Sequence, residues 1–115
     1  KTTEMVILKA DLQNAVKTST LFSDKFNQIT LDIDPGKKSC VLTAKNTDIG
    51  ENEANLDATL KGEPISVVIN YRYLLDCLNA IPSDSVSIDF SQNKPLLVKG
   101  VGDASFLYLI MPMNR

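Results

Sequence analysis

The stretch ISVVINYRYLLDCLNAI, residues 65–81, predicts a strand that leads directly into a helix. It begins with a short apolar run rich in β-branched side chains, which is typical of a buried strand. Asn70 is a residue type that caps helices, and Pro82 lacks the backbone N–H that a continuing helix needs. Between these limits, four apolar residues fall on one helical face: Leu74, Leu75, Leu78 and Ile81.

The beginning of the chain has the same order of elements. Residues 5–9, MVILK, form a short apolar run and predict a buried strand. Asp11 follows as an acidic residue suited to the first turn of a helix, where the helix dipole favours negative charge. Four residues then share one helical face: Leu12, Ala15, Val16 and Ser19.

Each helix is followed by three segments that predict strands. These are residues 29–33, 39–45 and 54–60, closed by Gly62, and then residues 86–90, 96–101 and 106–111. Residues 34–37, DPGK, predict a turn in which Gly36 takes the positive φ. The order β-α-β-β-β therefore occurs twice. We predict a single α+β domain over residues 1–115, with internal halves 5–62 and 65–112 and two helices packed on an antiparallel sheet of eight strands.

The composition is that of one ordinary globular domain. The chain has 115 residues, 12 Lys plus Arg against 14 Asp plus Glu, a net charge of −2, and 43% hydrophobic residues. This balance excludes a disordered chain and a strongly basic nucleic-acid binder. No apolar run approaches the roughly 20 residues of a membrane helix. The sequence shows no signal peptide, so we expect a cytoplasmic protein without membrane contact, and the start at Lys1 predicts a piece of a longer chain.

Missing residue types exclude several kinds of active site. There is no His, which removes the Ser/His and Cys/His nucleophile schemes and the usual zinc ligands. Cys40 and Cys77 are too far apart for a CxxC motif and lie in apolar segments, so buried reduced thiols are expected. The motif at residues 100–102, Gly-Val-Gly, precedes a strand, which favours a hairpin over a phosphate cradle.

On the residues alone, two functions remain possible besides that of a domain that binds a ligand. The acidic stretch Asp48–Glu53 would serve a small metal-dependent hydrolase together with neighbouring carboxylates. It lacks the spacing of a calcium loop, so a solvated loop is the simpler interpretation. The repeated β-α-β-β-β order would also suit a scaffold module that has no role on DNA. We predict no catalytic residue, no metal site and no cofactor.

Two surfaces are candidates for binding. Lys9, Lys17 and Arg72 avoid the apolar helical faces, so helices lying side by side would present these charges together. Such a surface binds a phosphate backbone weakly and without sequence preference, although a solvated face is the simpler interpretation. The ending FLYLIMPMNR, residues 106–115, is apolar almost to the last residue. It is interpreted either as a core strand or as the wall of a groove for an apolar peptide.

Three segments together resemble one known family. The ending YLIMPMNR, the stretch INYRYLLDCLNAI and the segment LFSDKF before an alternating strand resemble the third, C-terminal domain of bacterial DNA sliding clamps, the beta subunit of DNA polymerase III. The resemblance implies a ring of two head-to-tail subunits, each of three such domains, that encircles duplex DNA without catalysis. It also implies that short apolar peptides tether DNA polymerase, clamp loader and repair proteins to the ring.

The same resemblance implies roles for individual residues. The third-domain share of the peptide pocket corresponds to Asn70, Tyr73, Asn93, Pro95, Leu109, Met111, Pro112, Met113 and Asn114. The residues implied to face DNA are Lys9, Lys17 and Arg72. The subunit interface corresponds to Leu21 and Phe22, with the strand over 54–61 expected at the sheet edge that pairs across it.

Overall fold

A computed structural model of the chain describes residues 2–21, 27–46, 50–92, 94–102 and 107–113, with Lys45 and Asn46 described in the backbone only. These ranges contain two helices, α1 (Lys9–Ser19) and α2 (Tyr71–Ala80). They also contain nine strands: β1 (Thr2–Leu8), β2 (Gln28–Asp34), β3 (Ser39–Asn46), β4 (Gly50–Asn55), β5 (Thr59–Gly62), β6 (Ile65–Asn70), β7 (Ser85–Ser91), β8 (Leu96–Gly100) and β9 (Tyr108–Ile110).

The strands form two antiparallel sheets that share one core with the helices. One sheet has the order β5-β1-β7-β8-β9 and the other has the order β4-β3-β2-β6. Every described strand pairing is antiparallel. The predicted α+β class with antiparallel strands is therefore confirmed. Both helices bury one face in a core that contains residues of both sheets.

The predicted single strand over residues 54–60 is wrong, and with it the count of eight strands in one sheet. The chain leaves β4 at Asn55 and enters β5 at Thr59, so the two parts belong to different sheets. Leu56 lies between them, is 9% exposed, and donates its backbone N–H to the carbonyl of Cys40 at 2.8 Å. Because Leu56 is buried in the same core, the alternating pattern continues across the break and conceals it.

The second helix begins and ends as its sequence pattern predicts, whereas α1 begins at Lys9, which was predicted to end the strand over residues 5–9. On α1 the buried residues are Leu12, Val16 and Ser19; on α2 they are Leu74, Cys77 and Leu78. The Asn70 side chain accepts a hydrogen bond from the Arg72 backbone N–H at 2.9 Å, which confirms the predicted cap. The second helix ends at Ala80, two residues before Pro82.

Both cysteines are free and buried, as predicted. The thiol of Cys40 donates to the sulfur of Met5 at 3.5 Å. Burial, and secondarily the charge of Asp32, raises the pKa of Cys40 to about 11. Burial also raises the pKa of Cys77. Both thiols therefore stay protonated at neutral pH, and a thiolate is the reactive form of cysteine.

The two predicted turns differ from expectation in detail. Residues Pro35–Lys37 form a single 3₁₀ turn, and the left-handed residue is Lys38 (φ 53°) rather than Gly36. The Asp34 side chain accepts from the Lys37 N–H at 3.3 Å, which holds this turn closed. Strands β8 and β9 pair as antiparallel neighbours, with Gly102 at φ 80°. Their described pair nearest the connection is Val98 with Tyr108, so the tight hairpin predicted at residues 100–102 is not confirmed.

Candidate functional site

Strand β9 presents apolar side chains to solvent at the edge of the five-stranded sheet. It pairs with β8 and is the last strand on that side among the described residues. Ile110 is 2% exposed, whereas Leu109 and Met111 are 61% and 64% exposed. Alternation along an extended chain therefore turns Ile110 into the core and its two neighbours outward.

The chain then crosses from one sheet to the other. The Met113 backbone N–H donates to the carbonyl of Val68 at 2.7 Å. Val68 belongs to β6, an edge strand of the four-stranded sheet, and lies two residues before the helix cap Asn70. The terminal segment, residues 111–113, therefore lies beside the chain that leads into α2.

This path runs past most of the residues that the resemblance assigned to the peptide pocket. Tyr73, in the first turn of α2, is 60% exposed. Pro112 and Met113 are half-buried. Pro95 immediately precedes Leu96, which pairs with Ile110, so Pro95 adjoins the Met111 end of β9. Asn93 and Asn114 lie outside the described residues.

The chemistry of this site suits an apolar peptide. Three large apolar side chains, Tyr73, Leu109 and Met111, are each about 60% exposed. Exposed apolar groups of this size mark interaction surfaces when they adjoin one another. Methionine is unbranched and polarizable, so it adapts its shape to different apolar partners. Because the Asn70 cap uses the side-chain oxygen, the side-chain nitrogen is the atom that remains suited to donate to a ligand.

A second surface is formed by the outward faces of α1 and α2. The Gln13 side chain donates to the Asn79 side chain at 3.1 Å. The Lys9 ammonium, at the start of α1, donates to the carbonyl of Ile81, just after α2. Residues 9 and 13 thus contact residues 81 and 79, which shows that the helices run antiparallel. Lys17, late in α1, and Arg72, early in α2, are both exposed and therefore lie at the same end of the helix pair. Asp11 and Asp76 are also exposed on these helices, so the surface carries both signs of charge.

Lys9 has a structural role that the sequence did not predict. It is the first residue of α1 rather than the end of β1, and its ammonium donates to the carbonyl of Ile81 at 2.8 Å. Ile81 directly follows α2, where unpaired carbonyls make a cation favourable. The contact spans 72 positions of sequence, which is why no local pattern reveals it.

Replacing Lys9 by methionine is expected to lower the free energy of unfolding by about 1 kcal/mol. A hydrogen bond from a charged donor contributes roughly 1.5–3 kcal/mol, and partial exposure of this one reduces the value. Lys17→Met is the matched control on the same helix because its side chain is exposed, and we expect a change within about 0.5 kcal/mol. Urea denaturation measures both. Equal losses for the two variants would contradict the structural role of Lys9.

The predicted subunit edge is only partly within the described residues. Leu21, just beyond α1, is 69% exposed, and Phe22 lies outside the described residues. The Asn52 side chain donates to the Ser19 hydroxyl at 3.4 Å, which ties β4 to the end of α1. The edge strand predicted over residues 54–61 is wrong, because residues 59–61 belong to β5 in the other sheet. In the described chain the outermost strand of the four-stranded sheet is β4. An exposed apolar side chain and a sheet edge therefore lie side by side here.

The acidic stretch at residues 48–53 is described only from Gly50 onward. Asp48 lies outside the described residues, and Glu51 and Glu53 are exposed on β4. Across the part of the chain that the structure describes, no three acidic or cysteine side chains group in a way that could hold a metal ion. In the same residues, neither helix has the length and apolar character needed to cross a membrane.

Comparison with known proteins gives one consistent result. A protein-family profile described as "DNA polymerase III beta subunit, C-terminal domain" matches residues 1–114. The beta sliding clamp of Vibrio cholerae is 34% identical over 100 residues, which is 85% of this chain and 26% of that protein.

Solved structures agree with the profile. The DNA polymerase III beta subunit of Thermotoga maritima has a TM-score of 0.92 at 20% identity, over 98% of this chain and 31% of that chain, and this likeness concerns the fold alone. The sliding clamp of Bartonella birtlesii has a TM-score of 0.89 at 30% identity, over 98% of this chain and 32% of that chain. The chain thus spans about a third or less of the length of these relatives.

Proposed function

Since the chain belongs to the family of the DNA polymerase III beta subunit, C-terminal domain, we propose that it is the C-terminal domain of a sliding clamp. Two subunits of three domains each then close into a ring around duplex DNA, in the bacterial cytoplasm where that DNA is replicated. The ring holds DNA by topology and raises the local concentration of the proteins tethered to it. The domain itself therefore needs no catalytic residue and no cofactor.

The observation that carries this proposal is the path of the terminal segment. The hydrogen bond from Met113 to Val68 holds this segment beside α2, so the exposed side chains of Tyr73 and Met111 belong to one region. An apolar peptide from a polymerase, clamp loader or repair protein would bury these side chains together with Leu109. The rest of the proposed pocket in this domain is Asn70, Asn93, Pro95, Pro112, Met113 and Asn114.

The fold proposed for this role is a duplication of one β-α-β-β-β unit. In this duplication, the strands β1, β2, β3 and β4 of the first unit correspond to β6, β7, β8 and β9 of the second. Under this matching the sheet order β1-β7-β8-β9 becomes β6-β2-β3-β4, which is the order of the other sheet. Eight strands are accounted for in this way, and β5 adds to the outer side of β1.

The outward faces of α1 and α2 are proposed to face the encircled DNA. Lys17 and Arg72 supply exposed positive charge, and Lys9 adds charge through the ammonium donors that Ile81 does not use. Asp11 and Asp76 on the same helices reduce the net charge. Weak attraction of this kind suits a ring that must slide, because tight phosphate contacts would hold it in one place.

The end of α1 and the edge of β4 are proposed to form the contact between subunits. Leu21 is 69% exposed, and burial against a partner would remove this apolar surface from water. The free edge of β4 would pair with a strand of the other subunit, which also protects the edge from non-specific association. Phe22 is the second apolar residue proposed for this contact.

The peptide site is tested by the methyl signals of the three methionines. Carbon-13 methyl labelling of the full-length subunit, with signals assigned by Met→Leu variants, allows titration with a short apolar clamp-binding peptide. We expect the signals of Met111 and Met113 to move. Met5, which is 0% exposed, is the internal control and should stay in place. Unmoved signals of Met111 and Met113 at saturation would contradict the proposed site.

A further inference from the structure

A groove of about 300 Å³ lies beside the start of α1, in the opposite half of the domain from the peptide site. Its lining includes Leu8, Asp11, Asp57, Ala58, Thr59 and Ser85. Leu8 is 54% exposed, which makes it a large apolar side chain open to solvent. The ring contact proposed above does not use this groove, and the proposed DNA surface shares only Asp11 with it.

The groove occupies the same place in the first half as the peptide site occupies in the second. Leu8 is the residue before α1, and Asn70 is the residue before α2. Leu8 pairs with Ser85, the first residue of β7, and Asn70 pairs with Gln28, the first residue of β2. Both of these partner strands have seven residues. The chain around the start of each helix therefore has the same strand pairing in both halves.

The outer edges of β1 and β6 extend this equivalence. Two residues before the helix cap, Val6 pairs with Thr59 of β5. At the equivalent position of the second half, the Val68 carbonyl accepts from Met113. Thr59 and Met113 therefore occupy equivalent positions, beside β1 in the first half and beside β6 in the second. Two residues earlier in each segment, Asp57 occupies the position equivalent to that of Met111.

The helix side of the groove follows the same equivalence. Asp11 is the third residue of α1 and Tyr73 is the third residue of α2. The two halves therefore place Asp11 and Asp57 where the proposed peptide site has Tyr73 and Met111. The geometry is repeated, but two apolar contact groups are replaced by two carboxylates.

This replacement changes the chemistry of the expected ligand. Asp11 and Asp57 are both exposed. In the described part of the chain neither carboxylate forms an ion pair or a hydrogen bond, so both are available to a cation from outside. Leu8 and Ala58 supply apolar contact next to them. A volume near 300 Å³ lies at the lower end of the range for ligand pockets, so the groove fits one or two side chains.

From the repeated geometry and the changed charge, we infer that this groove is a second peptide-docking site, which takes a segment carrying arginine or lysine beside an apolar residue. The inference rests on the proposed function in two respects: it takes the terminal segment and Tyr73 as a peptide site, and it uses the proposed matching of the two halves of the domain. Its occupant is a basic protein segment, since the groove presents apolar surface as well as two carboxylates.

The test uses the full-length subunit and a hexapeptide in which two arginines flank a leucine, labelled with an uncharged dye. Fluorescence anisotropy is expected to give saturable binding that weakens about fivefold when Asp11→Asn and Asp57→Asn are combined. Binding should also weaken as salt rises, because screening reduces attraction between exposed charges. The same peptide with glutamines in place of the arginines is expected to bind less well.

Three further variants distinguish binding at this groove from unfolding, from a general charge effect and from binding at the peptide site. Asp57→Asn alone changes a residue outside every helix and strand, so it weakens binding without a risk to the fold. Asp76→Asn, an exposed aspartate on the other helix, should have no effect. The variant Tyr73→Ala with Met111→Ala should lose an apolar clamp-binding peptide and keep the basic one, which separates this site from the proposed function.

Saturable binding of the basic peptide that depends on Asp57 and not on Asp76 supports the second site. Absence of saturable binding up to about 1 mM peptide, which corresponds to about 4 kcal/mol of binding free energy, overturns it. Equal affinity of the native subunit and the Asp57→Asn variant overturns it as well.

Discussion

Combined replacement of Tyr73 and Met111 by alanine is expected to weaken binding of a short apolar peptide to the full-length subunit about 100-fold or more. Large apolar side chains at the centre of an interface often contribute 2 kcal/mol or more each, and their effects are not additive. Both side chains are at least 60% exposed in the unbound domain, so their removal leaves no cavity in the core. Isothermal titration calorimetry with a labelled or unlabelled clamp-binding peptide measures the loss.

Val101→Ala is the matched control for this prediction. Val101 is 48% exposed and follows β8 at the end remote from the Leu96–Ile110 pair. We expect this variant to bind the peptide as the native subunit does, and all variants to unfold at similar temperatures. Retention of peptide affinity in the Tyr73 and Met111 variant would contradict the proposed site directly.

The second large effect is expected at the proposed subunit contact. Leu21→Lys combined with Phe22→Lys in the full-length subunit should convert ring dimers into monomers. Two lysines placed in a closely packed apolar contact would have to lose their water, and each such buried, unpaired charge costs several kcal/mol. Sedimentation velocity at micromolar concentration distinguishes the two states.

Asn14→Lys serves as the charge control because Asn14 is exposed on α1 and lies away from the helix end. This variant is expected to remain a dimer. A dimer that survives both lysines at residues 21 and 22 would place the subunit contact elsewhere on the domain. Loss of the dimer in the Asn14 variant would mean that added charge alone opens the ring.

Local sequence patterns were sufficient to predict the helices and most strands. The strand-to-helix change over residues 65–81 depends on nearest neighbours in sequence: an apolar run, the Asn70 cap and the stop before Pro82. The structure contains each of these features. Such features are encoded locally because backbone hydrogen bonds and caps form within a few residues of each other.

Features set by long-range packing were not predictable in the same way. The break at residues 56–58 is invisible because Leu56 keeps the alternation while the chain changes sheets. The contact of Lys9 with Ile81 depends on how α1 and α2 pack. The positive φ at Lys38 rather than Gly36 reflects a 3₁₀ turn in place of the expected β-turn.

The candidate site was predicted by resemblance more than by periodicity. The apolar ending of the chain alone allowed two interpretations, a core strand or the wall of a groove. In the structure Ile110 is buried, as a core strand requires, and Leu109 and Met111 are exposed, as the wall of a groove would require. The contact of Met113 with Val68, which brings the ending beside Tyr73, depends on the tertiary fold and has no signal in the sequence.

The central claim, that this chain is one domain of a ring that encloses DNA, is tested most directly by the topology of the DNA. The full-length subunit is loaded with its clamp loader and ATP onto nicked circular DNA and separated from free protein by gel filtration. We predict that the subunit stays with the circle and is released when one restriction cut makes the DNA linear. Equal retention on circular and linear DNA, or retention on neither, would contradict the claim.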